Sequence, residues 1–257
     1  MIAPAGLRLC AVIPVYDHER AVGAVVEGLV AQGLDCLLVD DGSGPACAGV
    51  LDVLAARLPG VTVCRRARNG GKGAAVPTGL RAALAAGCTH ALQVDADGQH
   101  ALGDVPEFVR AMHADPDAVI CGEPVFDASI PRVRYYLRYL THVFVWLNTL
   151  SFDVRDSMCG FRVYPLVPTL AMIDAERPGS RMDFDIEVLV RLHWRGLVLR
   201  WVRTTVTYPA DGVSHFRLFL DNGLITRLHT RLFFGMLWRL PRLLARKRHA
   251  GERLSNA

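Results

Sequence analysis

Two hydrophobic rhythms alternate along the first half of this chain. Residues 9–15 form a short, continuously apolar run, the pattern of a strand buried on both faces. Val22, Val25, Val26, Leu29 and Val30 then fall at i, i+3, i+4, i+7 and i+8, the stripe of an amphipathic helix packed on a sheet. The pair recurs. Residues 37–39 predict a second strand and Val50, Leu51, Leu54 and Leu58 a second helix; residues 61–63, 90–94 and 118–121 predict further strands. Between them lie a helix over 71–86 and another that Pro106 opens at its first turn. Strands and helices at this spacing predict an α/β fold, a doubly wound and mostly parallel central sheet with helices on both faces.

The rhythm changes after Cys121. A helix is expected from about Val133, then a polar loop over 153–162 containing Gly160, a helix over 182–194 and an extended stretch over 197–208. This half is expected to cover the sheet, so residues 1–215 form one domain. Residues 216–257 follow as a helical tail, kinked at Pro241. In it Leu218, Ile225, Leu232, Met236 and Leu243 share a narrow sector at about 100° per residue. Arg217, Arg227, Arg231, Arg239, Arg242 and Arg246 gather beside that sector.

Charge sharpens the view of the tail. The net charge of +4 is unevenly placed, because residues 216–253 hold nine Arg or Lys against Asp221 and Glu252 and so carry +7. A cationic, apolar helix on a neutral-to-acidic body is expected to lie on an anionic membrane surface, its arginines meeting lipid phosphates. The interleaved Phe219, Phe233, Phe234, Leu237 and Trp238 favour lipid over nucleic acid, since phosphate tracking needs no such apolar area. No run reaches 18 uninterrupted apolar residues, so the expectation is contact from one side. The seven cysteines are scattered, with no C-x-x-C pair, and the N-terminus has no charged leader. Both point to a reducing cytosol, at the inner face of the cytoplasmic membrane.

The candidate chemistry sits where predicted strands end, which is where such sheets bind ligands. Three polar clusters fall there: Tyr16-Asp17, Asp40-Asp41-Gly42-Ser43 and Asp95-Ala96-Asp97-Gly98-Gln99-His100. Asp95 and Asp97, one residue apart, can face a divalent cation together, with Gln99 as a neutral oxygen donor; hard oxygens favour Mg²⁺ or Mn²⁺. Asp and Gly after a strand also make ordinary turns. Asn69-Gly70-Gly71-Lys72-Gly73 precedes a helix, so its N–H groups and Lys72 are candidates for phosphate contact, though the spacing is not that of a Walker loop and a plain glycine-rich turn remains open.

Ile13-Pro14-Val15-Tyr16, Val39-Asp40-Asp41-Gly42-Ser43, Asn69-Gly70-Gly71-Lys72-Gly73, Asp95-Ala96-Asp97-Gly98-Gln99-His100 and Cys159-Gly160-Phe161-Arg162 stand in the order and spacing of family 2 glycosyltransferases. Over about residues 8–210 the chain most resembles their dolichyl-phosphate-mannose-synthase-like branch. The Ser214-His215-Phe216-Arg217 segment is also similar to enzymes of bacterial aryl-polyene lipid clusters. The resemblance implies the GT-A fold and a metal-dependent, inverting transfer from a UDP- or GDP-sugar to a lipid-linked acceptor, either a polyprenyl phosphate or a lipid or aryl-polyene hydroxyl. It implies that Pro14, Tyr16 and Glu19 line the nucleoside, that Asp40 reads the base beside Asp41 and Ser43, and that Lys72 lies near phosphate. Asp95 faces ribose and metal, while Asp97 and Gln99 complete the Mg²⁺ or Mn²⁺ site.

The sequence departs from the branch in two places. Tyr16-Asp17-His18-Glu19 displaces the usual Glu by one, and Gly122-Glu123-Pro124 stands where Gly-x-Arg is usual, leaving Arg132, Arg134 and Arg162 as the acceptor's candidate partners, with Ser214 and Arg217 closing over it. A hydroxyl acceptor needs a general base, for which Asp156 is the candidate and Glu187 the second; a phosphate acceptor needs none. The other class of function open to this sequence is a non-catalytic nucleotide-sugar-binding or scaffold protein of a lipid-assembly complex.

Overall fold

A computed structural model describes residues 6–126, 132–207 and 218–255, without the side chains of 132–135, 218–222 and 247–255. β1 (Leu9–Val15), α1 (Val22–Val30), β2 (Asp35–Asp40), α2 (Pro45–Arg57), β3 (Val61–Arg65), α3 (Lys72–Ala85), β4 (His90–Gln93), α4 (Val105–Ala114) and β5 (Val119–Phe126) alternate as the hydrophobic rhythm predicts. After them come α5 (Arg132–Thr149), β6 (Arg162–Pro165), α6 (Leu166–Glu176), α7 (Phe184–Arg195), β7 (Leu199–Val206) and α8 (Leu218–Ser255).

One seven-stranded sheet has the order β3-β2-β1-β4-β6-β5-β7. Every pairing is parallel except those of β6, which runs antiparallel between β4 and β5. Side chains alternate across the pleat. Ala11, Ile13 and Val15 of β1 join one core with α1, α2 and α4, whereas Cys10 and Val12 join the other with α3, α6, α7 and α8. Both faces are therefore covered, which explains why the strands are apolar throughout.

Two findings correct the sequence expectations. The loop expected over 153–162 ends in β6, with Arg162 already in the strand and paired with Gln93 of β4. The described part of the tail is one helix, Leu218–Ser255, that includes Pro241, and Leu228, Leu232, Met236 and Leu243 are buried in the α3–α7 core. Of the apolar sector assigned to lipid, Ile225, Leu232, Met236 and Leu243 thus face the protein, and the side chain of Leu218 lies outside the described residues. Three of the arginines beside that sector also face the protein. Arg231 pairs with Glu187, Arg239 with Glu176 at 3.2 Å, and Arg246 donates to the His193 and Trp194 carbonyls at 2.9 and 3.1 Å, the C-terminal end of α7. A cation there meets the carbonyl end of the helix, where the helix dipole favours positive charge.

Candidate active site

Parallel pairing brings the carboxyl ends of β1, β2 and β4 to one edge of the sheet, with Val15 opposite Asp40. Because β6 is antiparallel, the segment that leads into it, Cys159-Gly160-Phe161, arrives at the same edge. The end of β7 reaches it as well: Ala101 N–H donates to Thr205 O at 3.3 Å and Thr207 N–H to Gln99 O at 3.2 Å.

At this edge Lys72 lies between two aspartates. Its Nζ is 2.7 Å from Asp95 Oδ1 and 2.7 Å from Asp185 Oδ2. Gln93 donates to the other Asp185 oxygen at 3.1 Å. Burial alone would lower the ammonium's pKa, but the charges of Asp185 and Asp95 outweigh it and hold Lys72 protonated. Burial would likewise raise the Asp95 carboxyl; Lys72 and then His100 reverse this and keep it ionised well below the usual carboxylate range. His100 stands 3.6 Å from Asp95 Oδ2, with its ring stacked on Phe161. Gly160 covers the cluster, and a Cβ there would stand 2.5 Å from Lys72 Nζ, 2.8 Å from Gln93 Nε2 and 2.9 Å from Asp95 Oδ2.

Asp97 is the contrasting carboxylate. It accepts the Gln99 N–H at 3.0 Å across the turn, and burial together with the charge of Asp95 raises its pKa. Two carboxylates so close, one held ionised and the other made costly to ionise, are oxygen donors that a divalent cation would relieve. Among the described residues no three His, Cys, Asp or Glu side chains gather to hold a metal alone. The carboxylates of the Asp95–Asp97 turn are hard oxygen donors that would suit a divalent cation whose charge a diphosphate could share.

Asp40 ends β2 beside this turn's neighbour strand, 4% exposed, with Oδ1 accepting the Ser43 N–H at 2.9 Å. Ser43 Oγ accepts the Asp17 N–H at 3.2 Å, which ties the loop carrying Tyr16 to the end of β2. Pro14 and Tyr16 are half-buried there, while Glu19 is exposed.

Several site residues have other tasks than the sequence suggested. Asp41 is taken up inside the protein: it accepts the N–H groups of Gly70 and Gly71, the latter at 2.7 Å, and pairs with Arg66 at 2.6 Å. Those N–H groups point at Asp41, so they form no open phosphate cradle, and Gly71 takes a left-handed φ of 90° to make the turn. Lys72, expected near phosphate, is held by its two aspartates. Arg162, expected near the acceptor, is fully buried and donates to Asp185 O at 2.7 Å and Ser157 O at 2.8 Å. Asp156, the candidate base, is locked by Arg138 at 2.5 and 2.7 Å and by the Met158 and Cys159 N–H groups. Burial would raise its pKa, yet Arg138 and His142 hold it well below the usual range, the opposite of what a base needs. Glu187 is fully buried among Arg191, Arg231 and the Gly179 N–H. Arg132 and Arg134 lie in the first turn of α5 with side chains outside the described residues, and Ser214 and Arg217 lie outside them altogether.

Sequence reasoning overlooked Asp185 and Gln93. The signal was present, since Asp185 and Glu187 are charges at the start of a helix whose every residue from Phe184 to Trp194 is buried, and a buried charge asks for a partner.

A family model described as "Glycosyl transferase family 2" matches residues 10–176. The chain is 27% identical over 214 residues to a polyprenol monophosphomannose synthase of Mycolicibacterium smegmatis, covering 80% of each chain. It is 26% identical over 191 residues to an undecaprenyl-phosphate mannosyltransferase of Micrococcus luteus, covering 72% of this chain and 77% of that one. In fold it is similar to glucosyl-3-phosphoglycerate synthase from Mycobacterium tuberculosis, solved with Mn²⁺, UDP-glucose and phosphoglyceric acid: TM-score 0.66, 15% identity, 90% of this chain and 80% of that one. A mannosyltransferase from Pyrobaculum calidifontis, solved with GDP-mannose and Mn²⁺, gives a TM-score of 0.55 at 16% identity over 97% of this chain and 76% of that one. The mixed sheet with its motif-bearing carboxyl edge is the GT-A fold, and the chain belongs to glycosyltransferase family 2, in its dolichyl-phosphate-mannose-synthase-like branch.

Proposed function

We propose that this enzyme moves a sugar, with inversion, from a nucleoside diphosphate sugar to a polyprenyl phosphate at the inner face of the cytoplasmic membrane. The observation that carries the reading is the Asp95–Asp97 turn beside Asp40, with Asp95 held ionised by Lys72. In this reading residues 1–215 carry the chemistry and 216–257 part of the membrane contact. Pro14, Tyr16 and Ser43 shape the nucleoside pocket, and the Asp40 carboxylate reads the base. Asp95, Asp97 and Gln99 would hold Mg²⁺ or Mn²⁺, whose charge supports the departing diphosphate. The acceptor oxygen attacks the anomeric carbon as the bond to the diphosphate breaks, and a single displacement inverts that centre.

The locked carboxylates argue for the class of acceptor. Asp156 and Glu187 are both tied into buried ion pairs, so neither is available as a base for a hydroxyl. A phosphate acceptor is already anionic and needs only orientation, for which Arg132 and Arg134, with Ser214 and Arg217, are the proposed contacts. The two mannosyl relatives carry polyprenyl phosphates in their names, which agrees with this choice.

Incubation with UDP- and GDP-sugars and a short-chain polyprenyl phosphate tests the reading. A glycosylated lipid should form in Mn²⁺ or Mg²⁺ and vanish on chelation, and Asp97→Asn should lower turnover by about 100-fold or more. Failure of every donor to transfer, or transfer indifferent to chelation, overturns it.

A further inference from the structure

Exposed apolar groups gather in one place on this protein. Among the described residues nineteen large hydrophobic side chains are exposed, and thirteen of them are on α5, on α8 or at Phe152. Leu137, Leu140, Val143, Phe144 and Leu147 follow the spacing of one face of α5, and Phe233, Phe234, Leu237, Trp238 and Leu244 that of one face of α8. The two helices lie side by side. The Phe144 ring is 5.2 Å from that of His229, and Asn148 donates its amide to His229 Nδ1 at 3.3 Å. The stripes are therefore joined across the α5–α8 seam into one surface.

We propose that this two-helix face seats in the headgroup boundary of an anionic bilayer. The idea rests on the lipid-acceptor reading for its purpose but on the surface itself for its support. Large contiguous apolar patches are rare on monomeric soluble proteins and mark partner or membrane sites. Trp238, 88% exposed, has the ring that favours the boundary between headgroups and acyl chains. Arg227 and Arg242 are exposed on the other flank of the α8 stripe, and among the described residues neither has a carboxylate partner. Their charges complement lipid phosphates. Among the described residues no helix is long and apolar enough to cross a membrane, so the face lies on the surface. This face is not the sector that the sequence pointed to. Leu232, Met236 and Leu243 hold α8 to the body, and the membrane meets the opposite side of α8 together with the exposed face of α5.

Flotation of the full chain with vesicles of phosphatidylcholine, alone or mixed with phosphatidylglycerol, provides the test. Wild type should float with the mixed vesicles. Leu140→Ser/Val143→Ser on α5 and Phe234→Ser/Trp238→Ser on α8 should each cut the bound fraction about tenfold, because each removes two side chains of buried apolar area. Arg227→Gln/Arg242→Gln should reduce binding on mixed vesicles to the level on phosphatidylcholine alone. All three should keep the wild-type melting temperature and wild-type transfer to a detergent-dispersed short-chain polyprenyl phosphate. The proposal is overturned if wild type stays unbound, if the α5 variant floats like wild type, or if the protein is a dimer that these substitutions split, since a second copy would then cover the face. Flotation without any transfer to the dispersed acceptor would sink the glycosyl-transfer reading and leave the docking surface standing.

Discussion

Lys72 meets Asp95 and Asp185 at the same 2.7 Å, so each aspartate limits how far the ammonium can move toward the other. A third contact comes from Gln93, which donates to Asp185 and keeps its carboxylate turned to the lysine. Asp185→Asn leaves Lys72 one counter-charge and leaves a single amide oxygen where Lys72 and Gln93 each used a carboxylate oxygen. Asp95 then loses its fixed orientation against Lys72. Turnover should fall tenfold or more, since about 1 Å of misplacement costs on the order of 100-fold. The concentration of Mn²⁺ giving half-maximal rate should rise at the same time, a change that loss of fold alone would not produce. Asp95 and Asp97 were legible in the sequence because their meaning is local, two carboxylates on a turn after a strand. Asp185 was not, because what it does depends on α7 crossing to the edge of β4, a placement that no spacing along the chain records.

Among the elements, β6 was hidden for a comparable reason. It has four residues, too few for a period to emerge, and its antiparallel place between β4 and β5 is a matter of sheet order that the chain's strand–helix alternation does not record. α8 was legible as an amphipathic helix but not as to which side faces what, because it has apolar groups on two sides and arginines between them. His229 marks the buried side. Burial lowers its imidazole from 6.5 to about 4, so the unfolded chain takes up a proton first. Its contribution to stability is therefore flat above pH 6.5 and worsens as pH falls from 6.5 to about 4. The full loss is about 3 kcal/mol. The melting temperature should drop across that window, and His229→Gln, which cannot take up the proton, should flatten that part of the slope. An unchanged slope would show that the seam between α5 and α8 does not sense the imidazole's charge.

At the scale of the molecule, the +7 of the tail serves two ends. Arg231, Arg239 and Arg246 fasten α8 to α6 and α7, and Arg227 and Arg242 remain outward. Arg239 also lies over the Trp194 ring, 4.8 Å from its centroid, so the fastening combines ion pairs with an aromatic contact. α7 is the element common to both ends of the molecule. Asp185, which holds Lys72, and Glu187, which holds Arg231, are two residues apart in its first turn. A helical turn this short is a stiff spacer, so the docking helix cannot slide along the body without drawing on the lysine. The reaction centre thus stands at a set height above whatever α8 rests on. Acceptors that differ only in the length of the link between lipid and phosphate should show a sharp optimum on vesicles, and that optimum should flatten once the same acceptors are dispersed in detergent. The enzyme would then measure its acceptor with a ruler as well as recognise it by charge.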